Sequence, residues 1–326
     1  AVDAAAVERG EGDEAAQWSE AATRFAYLGR FCGESSLHLR FSVDDAMFQP
    51  IAQPLAEALW EAGVPTMVQL QPFVELPGLH VMTYMRSRAP RRYVAWQLEY
   101  KHDRVTGGDM EAYLRRAQGV WEYSRANIPL LAAHGWAAED VTWVFPCFHE
   151  SLTHTLPRVR AVADVVFMGS MSWVAQRRQR MIPVLRGGGD MVWAWGHEKI
   201  GGEFARFAAT GNVSLNIHAF DDAELELTRI VPLLANQRLV VTEEGRDARL
   251  NDVLRDGVVM RRNGDLWNLD VAIRKYAKAS EAARAEVAAR GYAVVREHLH
   301  CRTDAAAVMP SLRALLPAWL PLPFRD

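Results

Sequence analysis

Cysteine is scarce in this chain. There are three in 326 residues, at positions 32, 147 and 301. They are far apart, odd in number and lack any CxxC spacing, so no disulfide framework is expected and a reducing compartment is the natural reading. Long apolar runs are missing as well, and none approaches the length needed to span a bilayer. No basic-then-apolar leader opens the sequence. It begins at Ala1 rather than Met, which leaves a trimmed segment and a lost anchor open. The expected setting is the cytoplasm, with no integral membrane segment. An excess of one charge is also absent, the formal net charge being −3. A nucleic-acid binder normally carries a basic excess, so nucleic acid is not an expected partner. With 50% hydrophobic and 24% charged residues, global disorder is excluded.

What is present is an alternation of strand and helix patterns over a length that suits two α/β domains. Residues 1–24 are rich in Ala, Glu and Gly and read as a tail or surface helix. Alternating apolar residues in Ser36–Asp45 give a strand. The helical spacing of Ile51–Val64 follows, and three further strand patterns end at Tyr100. Asp109–Trp136 reads as two helices broken near Gly119–Ser124. A candidate boundary falls at Ser151–Val162. The second half repeats the rhythm, from a strand at Asp164–Ser170 to long helices ending near Leu299. Strands alternating with helices predict parallel sheets with crossover helices. The expected architecture is two doubly wound domains facing a cleft: residues 25–155, then 156–298, with 299–326 packing back across both. Such sheets bind ligands at the carboxyl ends of their strands, and a cleft between two of them is a preferred site.

The most informative segment is Val213–Glu244. A strand runs into a polar turn and then a helix, placing His218, Asp221 and Asp222 at the strand's carboxyl end. A helix N-terminus there offers free N–H groups to an anion. Arg229 can reach a phosphate in bidentate fashion, and Glu226 can accept from ribose hydroxyls. An amphipathic crossover helix with solvated charges explains the same pattern. Upstream, Gly169 and Ser170 close a strand before Arg177 and Arg178. Small residues admit a diphosphate and guanidinium groups neutralise it, although an ordinary turn with solvated arginines fits equally. Gly187, Gly188 and Gly189 follow a helix rather than a strand and read as a flexible turn.

Taken in order, these segments resemble GT-B glycosyltransferases, in particular the spore-maturation-type and related group 1 proteins of bacteria and large viruses. The matching residues are Asn216-Ile217-His218, Arg229-Ile230, Leu233-Leu234-Ala235-Asn236 and Val240-Val241-Thr242-Glu243, followed by Asp256–Met260. Upstream, ADVVFMGSMSWVAQRRQRM and VWEYSRANIPLLAAHGW also follow the family's order, so the resemblance covers roughly Tyr93 to His298. One departure stands out. Many retaining members carry a ribose-holding Glu just before the Ala-rich run, where this chain has Pro232.

The resemblance implies two Rossmann-like domains and a nucleotide-diphosphate sugar, UDP- or GDP-linked, bound mainly by the second half. It implies transfer to a hydroxyl of a glycan, lipid or small molecule, of the hexosyl- or pentosyltransferase class. Gly169, Ser170, Arg177, Arg178, His218, Glu226 and Arg229 would hold the donor. Basic groups and a helix N-terminus would offset the leaving diphosphate's charge, so no metal is required. The adjacent Asp221 and Asp222 lie in the nucleotide-side turn and are not read as a metal motif. In the first half, Glu99 and His102 follow a strand whose carboxyl end faces the cleft, and Asp45 with Asp44 lies at an equivalent strand end. These are the candidates for catalytic base or sugar-orienting group. A solvated, salt-bridged strand end explains each of them as well. Tyr123 and Ser124 are candidates for the acceptor side. His298–Cys301 lacks the second cluster a structural zinc site needs. A nucleotide-sugar epimerase or hydrolase on the same fold, and a degenerate non-catalytic module, remain as alternatives.

Overall fold

The computed structural model describes residues 39–43, 48–70, 78–83, 89–98, 107–154, 161–171, 175–187, 190–196 and 201–315. Residues 1–24, residues 316–326 and the catalytic candidates Asp44, Asp45, Glu99 and His102 lie outside these.

The first half forms a six-stranded, wholly parallel sheet in the order β2-β1-β3-β4-β5-β6. Its strands are β1 (Leu39–Val43), β2 (Thr66–Leu70), β3 (Leu79–Met82), β4 (Tyr93–Gln97), β5 (Gly119–Glu122) and β6 (Val141–Trp143). β3, β4 and β5 are buried along their whole length, as a parallel sheet covered on both faces requires. The flanking helices are α1 (Gln49–Glu61), α2 (Gly107–Arg116) and α3 (Ile128–Ala133). α1 packs Ile51, Leu55 and Leu59 inward. It stops at Gly63, whose φ of 84° takes the left-handed conformation of a helix end. Gly119–Glu122, expected as a helix break, is the buried strand β5. A four-residue stretch is too short to show a period, and pairing with β4 decides it.

The second sheet is also parallel, in the order β11-β10-β9-β7-β8. It comprises β7 (Ala163–Met168), β8 (Trp193–Gly196), β9 (Gly211–Asn216), β10 (Val240–Glu243) and β11 (Val259–Arg261). Its helices are α4 (Gln176–Arg186), α5 (Gly201–Ala209), α6 (Leu227–Ala235), α7 (Ala248–Leu254) and α8 (Leu266–Ala277). α9 (Glu281–His298) follows. The strand order reverses between β7 and β9, which opens a crevice at their carboxyl ends. α6 starts later than the sequence pattern suggests, so Glu224 and Glu226 precede it.

The last helix, α10 (Cys301–Leu315), belongs to the first sheet. Ala305, Val308 and Leu312 sit in one core with Leu39, Leu55 and Trp96. The chain therefore crosses between the halves twice, and the two crossings touch. Phe148 N donates to Leu299 O (2.6 Å) and Cys301 N to Phe148 O (2.8 Å). Cys147 and Cys301 form a disulfide across the same point. This corrects the expectation that no cysteines pair. They lie 154 residues apart in sequence, a separation spacing rules cannot read. Beside them His149 is held by Glu57 (3.0 Å) and Glu61 (3.4 Å) of α1. Among the described residues no helix is long and apolar enough to cross a membrane.

Candidate functional site

The crevice between β7 and β9 gathers most of the residues singled out in the second half. β7 ends at Met168 and delivers Gly169. β9 ends at Asn216 and delivers Ile217 and His218. The first turn of α4 then lays Arg177 and Arg178 across both strand ends.

Arg177 is a structural anchor. Its five N–H groups donate to Asp221 Oδ1 (2.8 Å), His218 O (3.2 Å), Glu243 Oε2 (2.6 Å), Glu243 Oε1 (2.5 Å) and Asn263 Oδ1 (2.8 Å). A guanidinium has five such groups, so none remains for a phosphate. Glu243 also accepts from His218 N (3.2 Å) and Gly264 N (3.1 Å). The pair thus ties β9, β10 and the turn after β11 together.

Arg178 is buried too. Nε donates to Ile217 O (2.8 Å), Nη1 to Ser170 O (3.3 Å) and Nη2 to Glu226 Oε1 (2.5 Å). Its guanidinium lies 5.5 Å from the Phe167 ring centroid. The other oxygen of Glu226 accepts from Arg229 Nη1. Arg229 Nη1 also donates to Asn216 Oδ1 (2.5 Å), and Asn216 is itself fixed by Thr242 Oγ1 (3.0 Å). Burial alone would raise the Glu226 pKa, but the two guanidinium groups outweigh it and hold the carboxyl below its ordinary value. Each oxygen of Glu226 thus meets one guanidinium in this structure, which leaves a carboxylate further acceptor sites.

Exposure separates the three arginines. The side chains of Arg177 and Arg178 are 4% and 5% exposed, that of Arg229 17%. Arg229 is therefore the one that reaches the open crevice. Gly169 explains how it gets there. A Cβ on Gly169 would lie 3.1 Å from Arg229 Nη2 and 3.3 Å from Arg178 Nη1. A side chain there would crowd both guanidinium groups and the Phe167 ring, 3.0 Å away, so glycine suits their close approach at the end of β7.

His218 is buried and its pKa is lowered, chiefly by that burial. Nε2 lies 3.1 Å from Glu244 O. A carbonyl only accepts, so Nε2 carries a proton toward it. Nδ1 is buried without a hydrogen-bond partner among the described residues. Pro232 is also buried, within α6. Asn236, the last residue of the Leu-Leu-Ala-Asn run, bonds Leu152 O (2.8 Å) and His154 N (2.9 Å), so it holds the connection between the halves.

Ser124, expected on the acceptor side, is fully buried where the halves meet and bonds the side chain of Glu224. Arg125 N donates to Asp247 Oδ2 (2.8 Å) and Arg246 Nη2 to Ala126 O (2.7 Å). Glu224 also takes Arg246 Nε (3.1 Å) and Asp247 N (3.1 Å). Burial pushes its pKa up to about 7. Sequence reasoning gave no role to Asn216, Glu243 or Asn263. The first two were visible only as motif letters, and Asn263 lies in a turn that carries no pattern. Among the described residues no group of three or more His, Cys, Asp or Glu is placed to hold a metal ion.

No family model matches the chain. No curated protein matches it either. Solved structures do. HepE of Anabaena in complex with UDP-glucose aligns with a TM-score of 0.57 at 13% identity, covering 85% of this chain and 99% of that one. WaaG, a glycosyltransferase involved in lipopolysaccharide biosynthesis, aligns at 0.56 and 10%, covering 83% and 99%. Sucrose-phosphate synthase of Thermosynechococcus elongatus aligns at 0.54 and 13%, covering 86% and 100%. Identities this low establish architecture and nothing finer: two parallel-sheet halves, joined by two crossings, in the GT-B fold of glycosyltransferases.

Proposed function

We propose that the protein is a glycosyltransferase that moves a sugar from a nucleotide-diphosphate sugar to an acceptor hydroxyl. The supporting observation is the cluster at the β7–β9 switch point, where Gly169 lets Arg178 and Arg229 lie against a strand end. In this reading Arg229 meets the diphosphate directly, with the Gly169–Ser170 turn and the uncommitted N–H groups of Arg178 beside it. Arg177 and Glu226 hold these groups in place. The bond between the anomeric carbon and the diphosphate breaks, the acceptor oxygen takes its place, and the acceptor proton passes to a base. Asp45, Glu99 and His102 remain the proposed candidates for that base. The growing charge on the diphosphate falls on preorganised guanidinium and backbone donors, which supports a metal-independent reaction.

UDP is the first donor nucleotide to test, because HepE, one of the structural neighbours, is seen with UDP-glucose. Kinship with the spore-maturation-type members belongs to this proposal, on the ordered motifs. So do the domain limits at 25–155, 156–298 and 299–326, and a cytoplasmic location. The Cys147–Cys301 bond weighs against a reducing compartment. A second reading, a binding module without turnover, is favoured by Pro232 at the ribose position and by the saturation of Arg177.

The test is calorimetric titration with UDP and GDP in the presence of EDTA, followed by an assay of nucleotide release from the corresponding sugar donors. Expected is saturable binding unaffected by EDTA and weakened at least tenfold by Arg229→Ala, since a hydrogen bond from a charged donor contributes about 1.5–3 kcal/mol. Absence of binding by the intact protein would reject the reading. Binding without transfer or hydrolysis would select the non-catalytic module.

A further inference from the structure

We infer that Tyr123 is a positioning residue for the donor site: reaching over from the first half of the chain, it fixes the turn that carries Glu226, and through that turn the orientation of Arg178 and Arg229. The inference rests on the donor-site reading above and adds what the first half contributes to that site.

Tyr123 follows β5 of the first sheet directly. Val120 and Trp121, just before it, pack into the cores of the first half. Tyr123 does not. It is buried in the core of the second half, together with Leu225 and Leu227. Those two leucines flank Glu226, the carboxylate that holds Arg178 and Arg229. The other side chains preceding β7 in this core are Phe145, Phe148 and Leu152, which lie where the chain crosses between the halves.

The arm that delivers Tyr123 is built to keep its shape. Glu122 is fully buried, and one of its oxygens accepts from Tyr123 N (2.8 Å), Ser124 N (2.9 Å) and Asn127 Nδ2 (3.2 Å). Ser124 Oγ accepts from Ala126 N (3.2 Å). Local side-chain bonds of this kind hold a turn without help from a helix or strand. Polar ties then fasten the arm beside the crevice. Ser124 bonds Glu224, two residues before Glu226. Arg246 bridges Glu224 Oε1 (3.1 Å) and Ala126 O (2.7 Å). Asp247 Oδ2 accepts from Arg125 N (2.8 Å), while its Oδ1 caps α7 through Arg249 N (3.0 Å). The loop after β10 packs closely on the same turn, since a Cβ on Gly245 would lie 2.4 Å from Leu225 N.

An apolar anchor beside Leu225 and Leu227 and a hydrogen bond to Glu224 thus act on one short turn. Glu226 meets a guanidinium with each oxygen, and such bonds weaken steeply when distance or angle drifts. A displaced turn releases Arg229 from its set direction. An anion site whose donors must be reordered on binding loses affinity.

The test measures UDP and GDP affinity by calorimetric titration, and amide hydrogen exchange across residues 224–229, in the intact protein, Tyr123→Ala, Tyr123→Phe and Arg246→Ala. Arg246→Ala cuts the ties to Glu224 and Ala126 without opening a core cavity, so it decides the matter where Tyr123→Ala does not fold. Expected is a roughly three- to tenfold loss of nucleotide affinity in Tyr123→Ala and about threefold in Arg246→Ala, with faster exchange at 224–229 in both. Tyr123→Phe keeps the ring and should stay within about twofold of the intact protein. Tyr123→Ala combined with Arg229→Ala should lose less than the sum of the two, because one acts through the other. Unchanged affinity and exchange in a folded Tyr123→Ala would overturn the inference, since Tyr123 would then only fill a core. So would unchanged affinity and exchange in Arg246→Ala where Tyr123→Ala is unfolded, or strict additivity with Arg229→Ala, while the donor-site reading survived. Failure of the intact protein to bind any nucleotide overturns both.

Discussion

Removing the carboxylate of Glu226 should destabilise the second half of the protein by several kcal/mol. Glu226 is 5% exposed and places one oxygen on Arg178 and the other on Arg229. In Glu226→Ala, Arg178 keeps the carbonyls of Ile217 and Ser170 but loses its only carboxylate partner among the described residues. Breaking a buried pair by deleting one partner costs about 3–5 kcal/mol. At about 2–4 °C per kcal/mol for a unit of this size, melting should fall by roughly 6–20 °C. Glu226→Gln keeps one acceptor oxygen and should lose about half as much. Arg178→Met combined with Glu226→Leu should cost less than the sum of the single changes, because both charges leave together. The pH dependence has a definite sign. The folded pKa of Glu226 lies below its unfolded value, so its contribution is present above the unfolded value, near 4.3. It is lost as pH falls through the folded one. Scanning calorimetry and guanidinium unfolding of the intact protein, these variants and the two single changes Arg178→Met and Glu226→Leu would measure this. A loss under about 1 kcal/mol in Glu226→Ala would refute the reasoning, since it would mean the ion pair is effectively solvated.

Three further outcomes are expected. Burial lifts Glu224 from an ordinary value of 4.5 to about 7, so the folded state holds this proton more tightly than the unfolded chain. Stability should therefore decline between about pH 4.5 and 7, by up to roughly 3 kcal/mol at 1.36 kcal/mol per unit. Glu224→Gln should reduce that slope in guanidinium midpoints at pH 5 and 8, leaving the comparable slope due to Asp304, also raised to about 7; an unchanged slope rejects the assignment. Denatured without reductant, the protein should titrate one thiol, Cys32, and with reductant three. Cys147→Ser with Cys301→Ser should lower stability by up to about 5 kcal/mol for a loop this long. Gly291→Ala should cost about 1–3 kcal/mol in urea unfolding, because its Cβ would lie 2.6 Å from Gly257 O where α9 crosses the turn before β11.

The parallel architecture was legible because its strands are short apolar runs separated by amphipathic helices. β7, β9 and β10 lie where the pattern placed them, since buried parallel strands read as near-continuous hydrophobic stretches. Two features escaped. β5 is the sequence Gly119-Val120-Trp121-Glu122 lying directly against helical stretches, so neither period is long enough to decide. The disulfide escaped because it is a tertiary fact. Cys147 precedes one crossing and Cys301 follows the other, and nothing local in the sequence says that the crossings touch.

The candidate cluster was legible as a set of residues, but its internal pairings were not. Arg177 and Arg178 are neighbours in sequence and read alike, as two cations at a helix start. On a helix, successive residues point about 100° apart. One therefore meets Glu243 on β10 and the other Glu226 before α6. The sequence shows the arginines and the glutamates but not which pairs form, and pairing decides whether a cation is free to meet a ligand. Three arginines face Glu226 and Glu243 within the buried cluster, with exposed Asp221 at its edge. A diphosphate arriving there meets one partly open guanidinium set among compensated charges, rather than three free cations. Its affinity must then depend on Arg229 far more than on Arg177. That inequality distinguishes a preorganised anion site from a basic patch. Arg229→Ala should weaken nucleotide binding at least tenfold without unfolding the protein, whereas Arg177→Ala should act mainly by destabilising the second sheet.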